Sequence, residues 1–233
     1  MGSSRLPKKV MMEVETDTPI INSVIKQLEF CKTFEKIIVA TTKLSEDDVL
    51  YEYVNSQNID CFRGSADDVL DRYYQCAKKF SLDDIIRITS DNPLIDPIVV
   101  DQIVQNYFEK KCDYATNTIP RTYPYGTEVE VFSFPTLEKT WKNSKKLSER
   151  EHVTPFMKNP LNKFSIFNLK HSENLTHLRY TVDEINDFNL VQKIFQNISN
   201  RPILTSHITQ LYSRKSEIFK INQNIKHKEV KIN

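Results

Sequence analysis

The sequence predicts an α/β fold with a mostly parallel sheet, helices on both faces and a small substrate-side lobe. Three observations carry that expectation. Short β-branched runs alternate with amphipathic helical stretches, the order of right-handed βαβ units. Ile37, Ile38, Val39 and Ala40 stand together, as do Ile85, Ile86 and Ile88, and such near-continuous apolar runs suit strands buried on both faces. The chain has 233 residues, 39% of them hydrophobic and 27% charged, enough for one sizeable domain.

In chain order, residues 1–9 are a loop by composition. Residues 18–30 read as a helix with Pro19 in its first turn and Ile21, Val24, Ile25 and Leu28 on one face. Residues 36–42 form a buried strand, and Ser45 with Asp48 opens the next helix by side-chain capping. A short strand at 59–62, a turn at Arg63, Gly64 and Ser65 and a helix over 66–80 follow. The strand at Ile85 ends in the turn formers Ser90, Asp91, Asn92 and Pro93, and Pro97 opens a helix to Tyr107.

After a strand at 113–117 the pattern changes. Residues 128–132 alternate Glu and apolar side chains, as expected of a strand with one exposed face. Helices at 137–145 and 149–158 and a strand at 164–169 complete a segment, about 118–180, read as an insertion covering the crevice. Residues 179–183 are a second strand ending in an acid, with helices to Gln196 and over 204–212. The tail at 213–233 is either docked or frayed.

Composition limits the partners. Lys plus Arg (32) balances Asp plus Glu (31), so no global field recommends nucleic acid. No apolar run approaches the roughly 20 residues of a membrane span. Cys31, Cys61, Cys76 and Cys112 lie far apart without metal-ligand spacing and read as free thiols of a reducing, cytoplasmic compartment. Only Gly2, Gly64 and Gly126 are glycines, and all three fall in loops.

Ligands of open α/β sheets sit beyond the carboxyl ends of the strands. Asp91 and Asp183 would both project there. Two such carboxylates suit a Mg²⁺ ion that takes its other ligands from water and phosphates; alone, Asp91 is equally a turn residue satisfying its own backbone. The loop of Gly2, Ser3, Ser4, Arg5, Lys8 and Lys9 offers backbone N–H groups and cations to phosphates, and is equally the pattern of a frayed basic terminus.

The residues also carry a resemblance. Gly-Ser-Ser-Arg-Leu-Pro-Lys-Lys from Gly2, Phe-Arg-Gly-Ser-Ala-Asp-Asp-Val-Leu-Asp-Arg-Tyr from Phe62 and Arg-Ile-Thr-Ser-Asp-Asn-Pro-Leu-Ile-Asp-Pro from Arg87 are similar to the cytidylyltransferase family. Within it they resemble the branch of spore coat polysaccharide biosynthesis protein F, related to the acylneuraminate and Kdo cytidylyltransferases. Pro120-Arg-Thr-Tyr-Pro, Ser148-Glu-Arg-Glu-His-Val-Thr-Pro and Leu178-Arg-Tyr-Thr-Val-Asp continue the order. The resemblance implies a Rossmann-like nucleotide-diphospho-sugar transferase fold, a single nucleotidyltransferase domain over 1–212, and CMP transfer from CTP to a sugar, often a 2-keto acid sugar, with Mg²⁺.

It matches Gly2, Ser3, Arg5 and Lys9 to the triphosphate loop, Asp91 and Asp183 to the metal acids, and Gly64 and Ser65 to a loop near the nucleoside. Arg121, Tyr123, Glu128, Glu130, Arg150, His152 and Arg179 are the candidates for the sugar pocket, since Arg grips a carboxylate with two parallel hydrogen bonds. Glu128 and Glu130 are equally the solvated face of a strand, and His152 equally a structural histidine. A homodimer is compatible with all of this. A non-catalytic nucleotide or sugar-nucleotide binding module is the alternative, and a glycosyltransferase on the same scaffold is a third reading that the triphosphate loop argues against.

The family pattern departs here in four places. It carries a buried central strand and an Ala-Arg pair before the glycine loop, whereas this sequence starts inside that pattern. A misplaced start codon is the favoured reading, before a fragment or a natural form with impaired catalysis, and the expected consequence is two exposed neighbouring strands and a loosened loop at 2–9. Lys8 stands where the family usually has glycine, Tyr125 where a small or acidic residue is common, and Glu184-Ile185 replaces a Thr-Pro pair.

Overall fold

The computed structural model of the protein describes residues 6–225. A hairpin of β1 (Glu13–Glu15) and β2 (Thr18–Pro19) comes first, then α1 (Ile20–Leu28). The helix starts later than expected because Pro19 is its N-cap, still extended and still in β2. Ile20, Ile21, Val24, Ile25 and Leu28 are buried along one side of α1.

β3 (Ile38–Thr42) crosses through α2 (Asp48–Ser56) to β4 (Asp60–Gly64), and the two strands pair in parallel from Ile38 opposite Asp60 to Thr42 opposite Gly64. The cap expected of Ser45 does not form: Ser45–Asp47 is a 3₁₀ turn without a side-chain cap. Asp47 instead accepts from the hydroxyls of Thr41 (2.8 Å) and Thr42 (2.6 Å), tying the turn to the end of β3.

α3 (Val69–Lys79) is capped by Asp68, which accepts from the Asp71 N–H at 2.8 Å. α4 (Pro97–Lys110) is capped by Asp96, which accepts from the Ile98 N–H at 2.9 Å. Between them lies β5 (Asp84–Arg87), and after α4 come β6 (Tyr114–Thr116), β7 (Glu130–Ser133), α5 (Phe134–Asn143) and β8 (Ile166–Asn168). These four strands form one sheet in the order β5-β7-β6-β8. β7 is antiparallel to both β5 and β6, and β8 is parallel to β6, so β7 alone runs against the other three. The segment 118–180 is therefore woven into the sheet, supplying β7 and β8.

Two expected elements change. The helix at 149–158 is broken into α6 (Leu147–His152) and α7 (Pro155–Lys158) at Val153, whose φ is 70°. Residues 179–183 are extended but form no ladder among the described residues. One bridge joins Arg179 to Tyr125, and the Val182 N–H donates to the Asp91 carbonyl at 2.9 Å. α8 (Ile185–Asn197), α9 (Thr205–Arg214) and a 3₁₀ turn (Ser216–Ile221) close the described chain. The part of the tail described here is docked, with Phe219 buried among the side chains of α8 and α9.

The two sheets do not meet. Among the described residues β3 pairs only with β4 and β5 only with β7, and a cavity of about 570 Å³ lies between their free edges. Ile38, Val39 and Ala40 are consequently only half-buried, where the sequence predicts a buried strand. The exposure of two neighbouring strands is as expected; of the 2–9 loop, the described residues Leu6–Lys9 close a turn (Lys9 N–H to the Leu6 carbonyl, 3.3 Å). Gly2, Ser3 and Arg5 lie outside the described residues.

Among the described residues no helix is long and apolar enough to cross a membrane. All four cysteines are free, one buried and three half-buried. Burial pushes the Cys31 thiol up to about 12 and those of Cys61 and Cys76 up to about 11, so they are inert at neutral pH.

Candidate active site

Lys9 opens a 3₁₀ turn directly after Lys8, whose φ of 57° is left-handed. That conformation favours glycine, so Lys8 occupies the family's glycine position at a backbone cost of about 1–2 kcal/mol. The turn aims the Lys9 ammonium between two carboxylates, 2.8 Å from Asp91 Oδ2 and 3.0 Å from Asp183 Oδ1. Burial works to lower the Lys9 pKa, but the Asp91 and Asp183 carboxylates outweigh it and the net shift is upward. Lys9 is therefore a fixed positive charge. The three side chains come from the first turn, the loop after β5 and the segment before α8.

Asp183 is aimed by a buried relay. Arg179 Nη2 donates to Asp183 Oδ2 at 2.7 Å while its Nε donates to Asp187 Oδ1 at 2.9 Å. Asp187, fully buried in the first turn of α8, also accepts the backbone N–H groups of Asp183 and Glu184 (both 3.1 Å) and the Asn222 side-chain amide (2.9 Å). The sequence analysis gives Asp187 no role; its place three residues after Glu184, as in a capping box, is the available signal. Asn222 lies in the tail and gave no signal at all.

A second cluster borders Asp91. Asn92 donates to Glu128 Oε2 at 3.1 Å, and Arg121 Nη1 donates to Glu128 Oε1 at 2.6 Å while its guanidinium lies 4.1 Å from the Tyr125 ring. Glu128 also accepts from the Gly126 N–H at 3.0 Å. Asn92 is 1% exposed, yet its Oδ1 has no hydrogen-bond partner. A buried acceptor left without a partner next to Asp91 is a place for a water or a ligand atom.

Gly126 locks this cluster to the first. Its φ is 96°, and a Cβ there would sit 2.2 Å from the Thr181 backbone nitrogen. Gly126→Ala is expected to cost about 2–3 kcal/mol in urea denaturation, from left-handed strain plus overpacking against backbone that cannot yield. At Gly64 the added carbon meets side chains only, those of Arg72 and Phe62, each at 2.8 Å. Gly64→Ala should therefore cost less, and the reverse ranking would show that 126 and 181 are not held together.

Gly64 and Ser65 belong to a third group. Ser65 Oγ accepts from the Asp68 N–H at 3.0 Å, its carbonyl accepts from Arg72 at 2.7 Å, and Arg150 clamps Asp68 through Nε at 2.9 Å and through Nη2. Arg150 and His152 thus stand on α6, which packs on α3. Among the described residues no hydrogen bond or ion pair joins this group to Asp91 or Asp183.

The structure does not bring every sugar-pocket candidate to an open surface. Tyr123 is 5% exposed, packed in the core with its ring edge-on to His171. Arg179 is 6% exposed and serves Asp183 and Asp187. Glu130 is 3% exposed and is neither a solvated strand residue nor a pocket wall. It bonds to Arg87, and it accepts from Tyr114 (2.6 Å), Thr154 (2.7 Å) and Lys158 (2.8 Å). Arg121 and Glu128 are the half-buried members of that set that stand next to Asp91, through Asn92, while Arg179 touches Asp183 from the buried side.

The donor set fits a hard divalent cation. Asp91 and Asp183 offer carboxylate oxygens that already converge on one cation, Lys9. Among the described residues no group of three or more His, Cys, Asp or Glu side chains could hold a metal, so the remaining ligands would be water and substrate oxygens, as Mg²⁺ prefers.

Paired acids and a lysine at the rim of an α/β sheet are the equipment of an enzyme that handles nucleotide phosphates. The chain belongs to the cytidylyltransferase family, whose model, described as cytidylyltransferase, matches residues 1–226. It is 36% identical over 229 residues to an uncharacterised protein of Methanocaldococcus jannaschii, covering 97% of this chain and 93% of that one. It is 28% identical over 221 residues to the spore coat polysaccharide biosynthesis protein SpsF of Bacillus subtilis, covering 92% and 91%. A solved cytidylyltransferase from Leptospira borgpetersenii superposes with a TM-score of 0.90 at 29% identity, covering 98% of this chain and 95% of its own. The fold is also that of a CMP:2-keto-3-deoxy-manno-octonic acid synthetase solved with CTP (TM-score 0.64, 17% identity, covering 84% and 95%).

Proposed function

We propose that this cytidylyltransferase moves CMP from CTP to a sugar acid, with Mg²⁺, to supply a CMP-sugar for polysaccharide or glycan synthesis. The observation that carries the reading is the Lys9 ammonium held between Asp91 and Asp183. The SpsF relative and the fold shared with a CMP-sugar synthetase support the substrate class.

In the reaction a sugar hydroxyl oxygen bonds to the α-phosphorus in line, the bond from α-phosphorus to the bridging oxygen breaks, pyrophosphate departs and the hydroxyl proton goes to solvent. Positioning and electrostatics are enough, without a covalent enzyme intermediate. Asp91 and Asp183 would hold the metal, which supplies positive charge against the departing oxygens. Lys9 adds a fixed cation, Arg179 orients Asp183, and Arg121, backed by Glu128, is placed to grip the sugar carboxylate. Gly2, Ser3 and Arg5 are assigned to the triphosphate on sequence alone. Gly64 and Ser65 are assigned to the nucleoside side, beside Arg150 and His152.

The open slot between β3 and β5 favours a second reading, nucleotide binding without turnover. Pyrophosphate release over the four nucleoside triphosphates and a panel of sugar acids decides between them. The expected result is release with CTP only, and only when sugar acid and Mg²⁺ are both present. CTP binding by calorimetry with no release on any sugar acid would establish the second reading.

A further inference from the structure

Arg121 keeps one edge of its guanidinium for a ligand. Its Nη1 donates to Glu128 Oε1 at 2.6 Å and lies 3.5 Å from the Pro124 carbonyl, and among the described residues these are its only hydrogen bonds. The parallel N–H groups of Nε and Nη2 are left over. The side chain is 19% exposed and neither nitrogen is sealed off from solvent. Such a pair matches a carboxylate with two bonds at once, provided that the plane of the guanidinium is held.

Tyr125 holds that plane. The guanidinium lies 4.1 Å from the centre of its ring, which covers one face of the cation. The root of the ring is itself fixed. The Tyr125 N–H donates to the Leu178 carbonyl at 3.1 Å, its carbonyl accepts from the Tyr180 N–H at 2.6 Å, and Gly126 after it is packed against the Thr181 backbone. Residues 178–181 lead directly to Asp183, so the ring ties the plane of Arg121 to the segment that carries one of the two acids. Glu128 does not do this alone, because one bond at Nη1 leaves the plane free to turn.

We propose that Tyr125 is a positioning residue that sets the selectivity for carboxylate-bearing sugars, locking Arg121 so that its Nε and Nη2 edge meets the sugar carboxylate side-on. The inference rests on the sugar-acid reading above and names the group that makes the acid readable. A phosphate suits the same edge, so the experiment separates the two anions.

Kinetics use the full chain, Mg²⁺ and the sugar acid of the panel that is turned over fastest, beside the carboxamide of that sugar. Tyr125→Leu is expected to raise KM for the sugar acid about threefold to thirtyfold, the range of one stacked cation, with kcat within about threefold of wild type. KM for CTP should not move, and the preference for acid over carboxamide should shrink by the same factor. Tyr125→Phe keeps the ring and should match wild type. On an Arg121→Lys background Tyr125→Leu should add less than about twofold, since lysine has no plane to hold. Binding is also read without turnover, as a shift of the Arg121 Nε–H resonance of the wild-type protein when sugar acids of the panel are added. A shift without pyrophosphate release supports this site while ending the transferase reading. No shift with any of them overturns the site. So does a KM rise for CTP in place of the sugar acid, a loss confined to kcat, or a Tyr125→Phe variant as impaired as Tyr125→Leu.

Discussion

Asp91→Asn is expected to lower kcat for CMP transfer by about 10²–10⁴-fold while leaving the melting temperature within a few degrees of wild type. The kinetic part follows from charge. Metal-assisted stabilisation of a developing phosphate charge is worth several kcal/mol, and each 1.36 kcal/mol is tenfold in rate. An amide keeps the shape and removes half of the acid pair. The stability part follows from exposure: the Asp91 side chain is 24% exposed, and among the described residues its one ion pair is to Lys9, which keeps Asp183. The contact that fixes the loop is made by the Asp91 backbone carbonyl to the Val182 N–H, which the substitution leaves in place. Manganese binding to the nucleotide-free protein, read by electron paramagnetic resonance, should weaken in parallel. A variant that turns over within about threefold of wild type would remove Asp91 from the chemistry, and with it the role given to Lys9.

What the sequence reveals of this site divides by distance. The turn at Ser90–Pro93 and the acid at Asp183 are local signals, because strand ends and turn formers can be read from neighbours. That Lys9 reaches both acids, 82 and 174 positions away, follows only once the segments are placed at one rim. The fold class is legible for the same local reason. The apolar face of α1, Pro97 at the start of α4 and the β-branched runs at 37–40 and 85–88 leave little choice but strands between helices.

What stays hidden is held by remote partners or by the backbone. The left-handed Lys8 cannot be told from a lysine in a frayed terminus. Nothing in the sequence shows that the Arg179 guanidinium is engaged by Asp183 and Asp187, with Asn222 bonding to the Arg179 carbonyl and to Asp187. Residues 179–183 have strand composition but, among the described residues, no partner strand, only Tyr125 and the Asp91 carbonyl. β3 has the composition of a buried strand and is half-exposed, because burial of its free edge depends on something between it and β5.

β7 is the plainest case, since its Glu-apolar alternation predicts one wet face and all of Glu130, Val131 and Phe132 are buried. The carboxylate of Glu130 is tolerated there because Arg87 from β5 and Lys158 from α7 reach it, with Tyr114 and Thr154 filling its remaining lone pairs. Glu130→Gln leaves the two cations facing a neutral amide in the core. It should cost about 3–5 kcal/mol, the usual penalty for breaking a buried pair from one side. For a chain of this size that lowers the melting temperature by roughly 6–20 °C.

The pH dependence identifies the cause. Burial alone would raise the Glu130 pKa, but Lys158 and Arg87 outweigh it and hold the carboxyl well below the usual carboxylate range. Below the ordinary glutamate value of about 4.3 the unfolded chain takes up the proton first, so the stabilisation is complete above that pH and is lost progressively as the solution is acidified towards the folded-state value. Wild-type stability in urea should therefore fall through this acid window more steeply than that of Glu130→Gln, and the two curves should converge as pH drops. Curves that stay parallel down to pH 3 would mean that Glu130 is not the titrating group, and that the variant is weakened by packing alone.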